Sequence, residues 1–176
     1  MNSFCVVGLT EYLILDKKNM KKIIFLLMFV LLHIFYNATV FSTADNNFLK
    51  ILIEIDKNIQ INKNLKKHNI DDTIILAIIK KESNFKQYAI SYKNARGYMQ
   101  LLLSTAQMIE PDTNQCNIFE LERNIRIGIK HLDNLCKTEK TQKDVIQKYY
   151  WGNKKQLTNN YYNNIIKLSK KIKVKK

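Results

Sequence analysis

The chain has 176 residues, 46% of them apolar and 25% charged, with a formal net charge of +14. That length suits one domain with a sizeable core. Its 4 glycines and 1 proline are too few for a turn-rich all-β protein and point to helices joined by short polar loops. The charge favours an anionic partner such as nucleic acid, acidic lipid or an acidic wall polymer. Even its densest part, KLSKKIKVKK at 167–176, lacks the aromatic interleaving of RNA-binding modules, which sets nucleic acid aside.

Residues 20–44 read MKKIIFLLMFVLLHIFYNATVFSTA. Two lysines precede an apolar run of about 14 residues, short of the ~20 that span a bilayer as a helix, and small residues follow at Ser42 and Ala44. This is the pattern of a secretory signal peptide with cleavage after Ala44; an uncleaved anchor is the alternative. It implies a periplasmic or other extracytoplasmic protein that meets the membrane only through this segment. Residues 1–19, with Cys5, are expected to be a mis-called start, since Met20-Lys21-Lys22 is the more natural beginning.

Beyond the signal, 48–59 (FLKILIEIDKNI) carries apolar residues at helical spacing. Asp71 and Asp72 cap a helix over 73–82. Ser104 can cap one through Met108 and Ile109. Apolar positions 121, 125, 129, 132 and 135 form one helical stripe. Thr141 with Asp144 makes a capping box for 145–151, and a last helix runs from 158 towards 172. QYAISY (87–92) is a short, weak strand signal. The expectation is a compact all-α domain over 45–172 with a basic tail at 173–176. After export, Cys116 and Cys136 could pair. A helix starting at Leu121 would carry Cys136 about 22 Å beyond it, whereas five extended residues reach back only about 17 Å. A bridge therefore needs a fully extended return or a later helix start.

The chemistry centres on Glu82, a carboxylate at the C-terminal end of a greasy helix. The negative end of the helix dipole and apolar neighbours such as Ile79 and Phe85 both favour its protonated form. A carboxylic acid protonated near neutral pH can act as a general acid. An isolated KES tripeptide would more simply be an ordinary surface glutamate. What changes the weighting is the register that follows: ESNF, then AIS at 89–91, ARGYMQL at 95–101 and STA at 104–106. Within it, Gly97 can take a positive φ or allow a close backbone approach. Gln100 offers an amide that can both donate and accept hydrogen bonds, and Met99 reads as core packing. Near these motifs Glu110 and Asp112 are weak candidates for a second acid, and Asp71 and Asp72 are better read as caps. His33, His68 and His131 have no metal-ligand spacing, no Gly-rich phosphate loop occurs, and no cofactor is implied.

The register resembles the lytic transglycosylases of the goose-type lysozyme fold, the SLT family that cleaves peptidoglycan. The family pattern is E-S-x-F, A-V-S, A-x-G-L-M-Q and T-A. It continues in Asn124-Ile125 with Gly128 and Leu132, in Tyr149 with Gly152, and in Thr158 with Tyr161. The resemblance covers residues 70–162. It implies a lysozyme-like helical domain in which Glu82 is the single acid and base. Glu82 would cleave between N-acetylmuramic acid and N-acetylglucosamine and leave 1,6-anhydro ends. By the same resemblance, Gly97 lets the backbone approach a sugar and the Gln100 amide bonds a sugar and its N-acetyl group. Ser91 and Thr105 line sugar sites, and Tyr149 hydrogen-bonds near the catalytic carboxyl and helps place it. Asn124 is expected to brace the fold. The implied partner is the glycan strand. The small size fits a cutter that opens the wall for a secretion, pilus or flagellar apparatus. Departures stand at Leu103, Lys148, Tyr150 and Leu157, where the family has proline, alanine, asparagine and an acid. They keep open a wall-binding scaffold protein of the same fold with impaired turnover. A hydrolysing lysozyme is the third reading.

Overall fold

In the computed structural model of the chain, residues 17–152 and 158–173 are described. The segment 1–16 with Cys5, Leu157 and the tail end 174–176 lie outside them. The chain divides into two units, Met1–Asn46 and Asn47–Lys176. In the first, residues 17–46 belong to α1 (Lys17–Ile61); its side chains Phe25 and Leu27 to Leu32 are exposed. Among the described residues no helix is long and apolar enough to cross a membrane.

The second unit holds the rest of α1, then α2 (Lys63–Lys67), α3 (Asp72–Ser83) and α4 (Leu103–Ile109). A 3₁₀ turn at Asn117–Phe119, α5 (Leu121–Thr138), α6 (Gln142–Trp151) and α7 (Asn160–Lys173) complete it. The all-α expectation holds: the described residues form no strand, and QYAISY yields one isolated bridge between Ile90 and Arg96.

α3 is the central helix. Asp71, in extended backbone, accepts from the Ile74 N–H at 3.0 Å and starts it. Every side chain from Thr73 to Ile79 is buried. A helix apolar on all faces belongs in a core, and packing overrides the modest helix propensity of its isoleucines. α3 packs most extensively on α7, while α5 lies against α6, α2 and α4. α1 contributes Ile51 and Ile55 to the same core. α5 presents Ile125, Ile129, Leu132 and Cys136 inward. Its buried Asp133 accepts from the Asn64 N–H and side-chain amide, both at 3.0 Å, and so fastens α2. That five-residue, lysine-rich helix escapes a periodicity reading because it buries only Leu65.

Thr141 and Asp144 form the expected cap of α6, with the Asp144 N–H donating to Thr141 Oγ1 at 3.1 Å. Ser104 does not cap α4. Leu101 exchanges both backbone bonds with Arg96, which turns the chain early, so α4 starts at Leu103 with Leu102 in the cap position. α7 begins at Asn160 rather than at 158. Cys116 and Cys136 are free thiols; the first is exposed, the second lies in the core.

Candidate active site

Glu82 occupies the last turn of α3. The helix ends because Asn84 turns left-handed (φ 52°) and its N–H returns to the Lys80 carbonyl. Phe85 follows at φ 63°. Two successive non-glycine residues in this region are uncommon and locally strained, a feature that clusters at functional sites. The strained turn leaves the Glu82 side chain half-buried. Burial pushes its pKa above the ordinary value of 4.5. A hydrogen bond from Tyr161 and the charge of Lys81 oppose the rise without cancelling it. Among the described residues, no other carboxylate figures among the groups that shift it.

Tyr161 sits in the first turn of α7, 5% exposed, and its hydroxyl donates to Glu82 Oε1. Burial, then the Glu82 charge, hold this phenol well above its ordinary pKa, so it stays protonated as a donor. Tyr150 stacks on its ring at 4.3 Å. The buried Gln147 amide donates to the Thr158 carbonyl at 3.1 Å, tying α6 to the segment that delivers Tyr161. Tyr161 is a position the family resemblance covers without assigning it a function. It is the residue that touches the acid, and its signal was a lone tyrosine at the start of a helix.

Tyr149 hydrogen-bonds elsewhere than at the carboxyl. Its hydroxyl donates to the Met99 carbonyl at 2.6 Å, while the Glu82 charge is near enough to help raise its pKa after burial has done most of this. It thus links α6 to the 97–100 turn beside the acid. His131 lies 5.5 Å from the Tyr149 ring, and burial lowers its pKa, which favours the neutral imidazole.

Gln100, at φ 48°, donates its side-chain amide to the Ala89 carbonyl at 3.0 Å and the Gly97 carbonyl at 3.1 Å. Both amide protons are committed to the loop, leaving the side-chain oxygen as the group that can meet a sugar. Ser91 Oγ accepts from the Ala95 N–H at 3.1 Å and keeps its own proton to donate. Thr105 is half-buried on α4. Among the described residues, no hydrogen bond joins Ser91, Gln100 or Thr105 to Glu82. Gly97 (φ 78°) is buried against Asn124: a Cβ there would stand 2.2 Å from Asn124 Nδ2. The close approach it permits is to an asparagine of the protein's own core. Asn124, fully buried, accepts from the Met99 N–H at 2.9 Å. It donates to the carbonyls of Arg96 at 3.1 Å and Ile118 at 2.8 Å, bracing the loop as expected.

Glu110 and Asp112 are engaged elsewhere. Arg126 and Arg123 pair with Glu110 at 2.7 and 3.2 Å, and Arg123 with Asp112 at 3.1 Å. Their arginine hydrogen bonds lower both pKa values, which suits salt-bridged carboxylates and not a second acid.

The all-helical domain thus holds one part-buried carboxyl, Glu82, under the Tyr161 hydroxyl. The chain belongs to the transglycosylase SLT domain family, whose model matches residues 59–169. It is 48% identical over 46 residues to membrane-bound lytic murein transglycosylase C of Haemophilus influenzae, covering 26% of this chain and 13% of that one. It is 34% identical over 79 residues to the protein of the same name from Histophilus somni, covering 41% and 22%. The chain thus spans less than a quarter of the length of these curated relatives. Lytic transglycosylase Slt of Pseudomonas aeruginosa superposes with a TM-score of 0.43 at 19% identity, over 59% of this chain and 19% of that one.

Proposed function

We propose that the protein is an exported peptidoglycan lytic transglycosylase in which Glu82 is the only acid–base group. The observation that carries this is the protonation-prone Glu82 carboxyl with Tyr161 bonded to it and, among the described residues, no second carboxylate acting on it. Protonated Glu82 gives its proton to the glycosidic oxygen between N-acetylmuramic acid and N-acetylglucosamine, and the bond to the leaving sugar breaks. The substrate's own N-acetyl group stabilises the oxocarbenium-like carbon. As Glu82 becomes a carboxylate, the Tyr161 hydroxyl steadies the new charge, since a hydrogen bond to a charged group is worth about 1.5–3 kcal/mol. Glu82 then takes the proton of the muramoyl 6-hydroxyl, whose oxygen closes the 1,6-anhydro ring. The acid is regenerated and no water is consumed.

In this reading Ser91, Thr105 and the Gln100 side-chain oxygen face the sugars, and Tyr149 keeps the 97–100 turn in place beside Glu82. Residues 20–44 direct export to the periplasm, residues 45–172 form the cutting domain, and the net charge of +14 suits an anionic wall. Local opening of that wall for a secretion, pilus or flagellar apparatus is the proposed role. The test is digestion of purified sacculi with mass spectrometry of the products. Muropeptides ending in 1,6-anhydro sugars, lost with Glu82→Gln, are expected. Reducing ends, heavier by one water, would make the protein a hydrolysing lysozyme, and sacculus binding without any release would make it a scaffold.

A further inference from the structure

Apart from the Glu82 site, the second unit contains a cavity of about 500 Å³ between α1, α3 and α7, lined by Phe48, Leu52, Leu76, Phe85, Leu168 and Ile172, with Lys80 and Lys171. That volume lies in the range of small-molecule sites. Six apolar side chains form its wall, and its only charges are two lysines, both exposed. Phe48 meets Phe85 edge-on at 5.8 Å, and Lys80 Nζ stands 5.7 Å from the Phe85 ring centre. A standard protein interface engages roughly 20–30 residues a side, several times what this groove presents. Its shape and charge fit one flexible apolar chain with an anionic head.

We propose that this groove takes an acyl chain of an anionic membrane lipid, with Lys80 and Lys171 meeting the head group. The chain lies along Leu52, Leu76 and Leu168, and the negative head stays at the solvent edge, where ammonium groups attract anionic lipid. Phe85 belongs both to this wall and to the strained turn that ends α3 three residues past Glu82, so an occupied groove abuts the catalytic turn. The site is independent of the catalytic reading: it stands or falls by binding alone.

The experiment titrates the full-length chain by calorimetry with short-chain phosphatidylglycerol below its micelle concentration. Matched short-chain phosphatidylcholine, laurate and inorganic phosphate run beside it. One molecule bound per chain is expected, with phosphatidylcholine and phosphate at least about tenfold weaker. Leu168→Trp, which fills the groove, and the charge-reversing pair Lys80→Glu with Lys171→Glu are each expected to weaken binding by a similar factor. Circular dichroism and melting report whether these variants fold; the lysine pair, exposed in the native state, keeps the test open if Leu168→Trp does not. Undiminished binding by the folded variants would overturn the site, because the lipid would then be held elsewhere on the chain. Preference for laurate over phosphatidylglycerol would overturn the membrane source.

Discussion

Gly97→Ala is expected to be among the most damaging single-methyl changes in the protein. The new Cβ would stand 2.2 Å from Asn124 Nδ2 and 2.7 Å from its Cγ, so the amide has to move. Asn124 makes three hydrogen bonds in a fully buried position. Each is worth about 1 kcal/mol, and a bond lost in the interior strands a partner at a cost of about 1–3 kcal/mol. A side chain at φ 78° adds about 1 kcal/mol. Losing most of the network therefore costs about 4 kcal/mol, a large part of the 5–15 kcal/mol that hold a domain together. Urea unfolding of the wild type, Gly97→Ala, Asn124→Ala and the double variant measures it. In the Asn124→Ala background the collision is gone, so adding Gly97→Ala should cost only the backbone strain of about 1 kcal/mol. A cost equal in both backgrounds would show that the glycine is needed for its φ alone, and the packing account would fail.

Glu82→Gln should abolish turnover and raise stability near neutral pH. The folded pKa of Glu82 lies above its unfolded value of 4.5 because the site is buried. Its contribution to stability is therefore fully present below pH 4.5 and lost as pH rises through the folded pKa. The melting advantage of the variant should vanish in acid and open as pH rises; an advantage that grows in acid would refute it. Tyr161→Phe removes the bond that lowers the Glu82 pKa. The alkaline limb of the rate profile should then move to higher pH while kcat falls about 10- to 100-fold, as loss of one charge-assisted bond implies. A slower enzyme with an unshifted limb would make Tyr161 merely structural. Tyr149→Phe frees the Met99 carbonyl from its 2.6 Å partner and should cost about 1 kcal/mol in urea unfolding. Thiol labelling should find Cys116 reactive in the native protein and Cys136 protected until unfolding, because burial pushes the Cys136 thiol up to about 11.

The legible parts of this chain were those where local chemistry and tertiary packing agree. Asp71 before a run of isoleucines and Thr141 three residues ahead of Asp144 each announce a helix start with a mechanism. The path from Glu82 to Gln100 was legible as a register although it has no regular secondary structure, because the residues it requires are few and fixed in spacing. Tyr161 could not be ranked. Its bond to Glu82 closes across 79 positions and depends on α7 packing against α3, which no local pattern encodes. Tyr149 shows the same limit of local pattern: two tyrosines close to one carboxyl differ only in where their hydroxyls end, Met99 for one and Glu82 for the other. The α4 start was missed because a backbone exchange between Arg96 and Leu101, not a side-chain cap, sets it.

Glu82 ends the buried helix α3, with Tyr161 bonded to it and Tyr149 close by. α3 is buried from Thr73 to Ile79. The loop at 89–100 is held by Asn124, on the Met99 N–H and the Arg96 and Ile118 carbonyls, and by the Gln100 amide, on the Ala89 and Gly97 carbonyls. An acid that must give up a proton and recover one within a single turnover needs a pKa set by surroundings that do not rearrange between the two steps. Burial raises that pKa and the Tyr161 hydroxyl restrains the rise, so in the proposed mechanism the same surroundings serve both protonation states of the carboxyl. That is the physical condition for using one carboxylate where a pair of about 5–10 Å separation would otherwise divide the work.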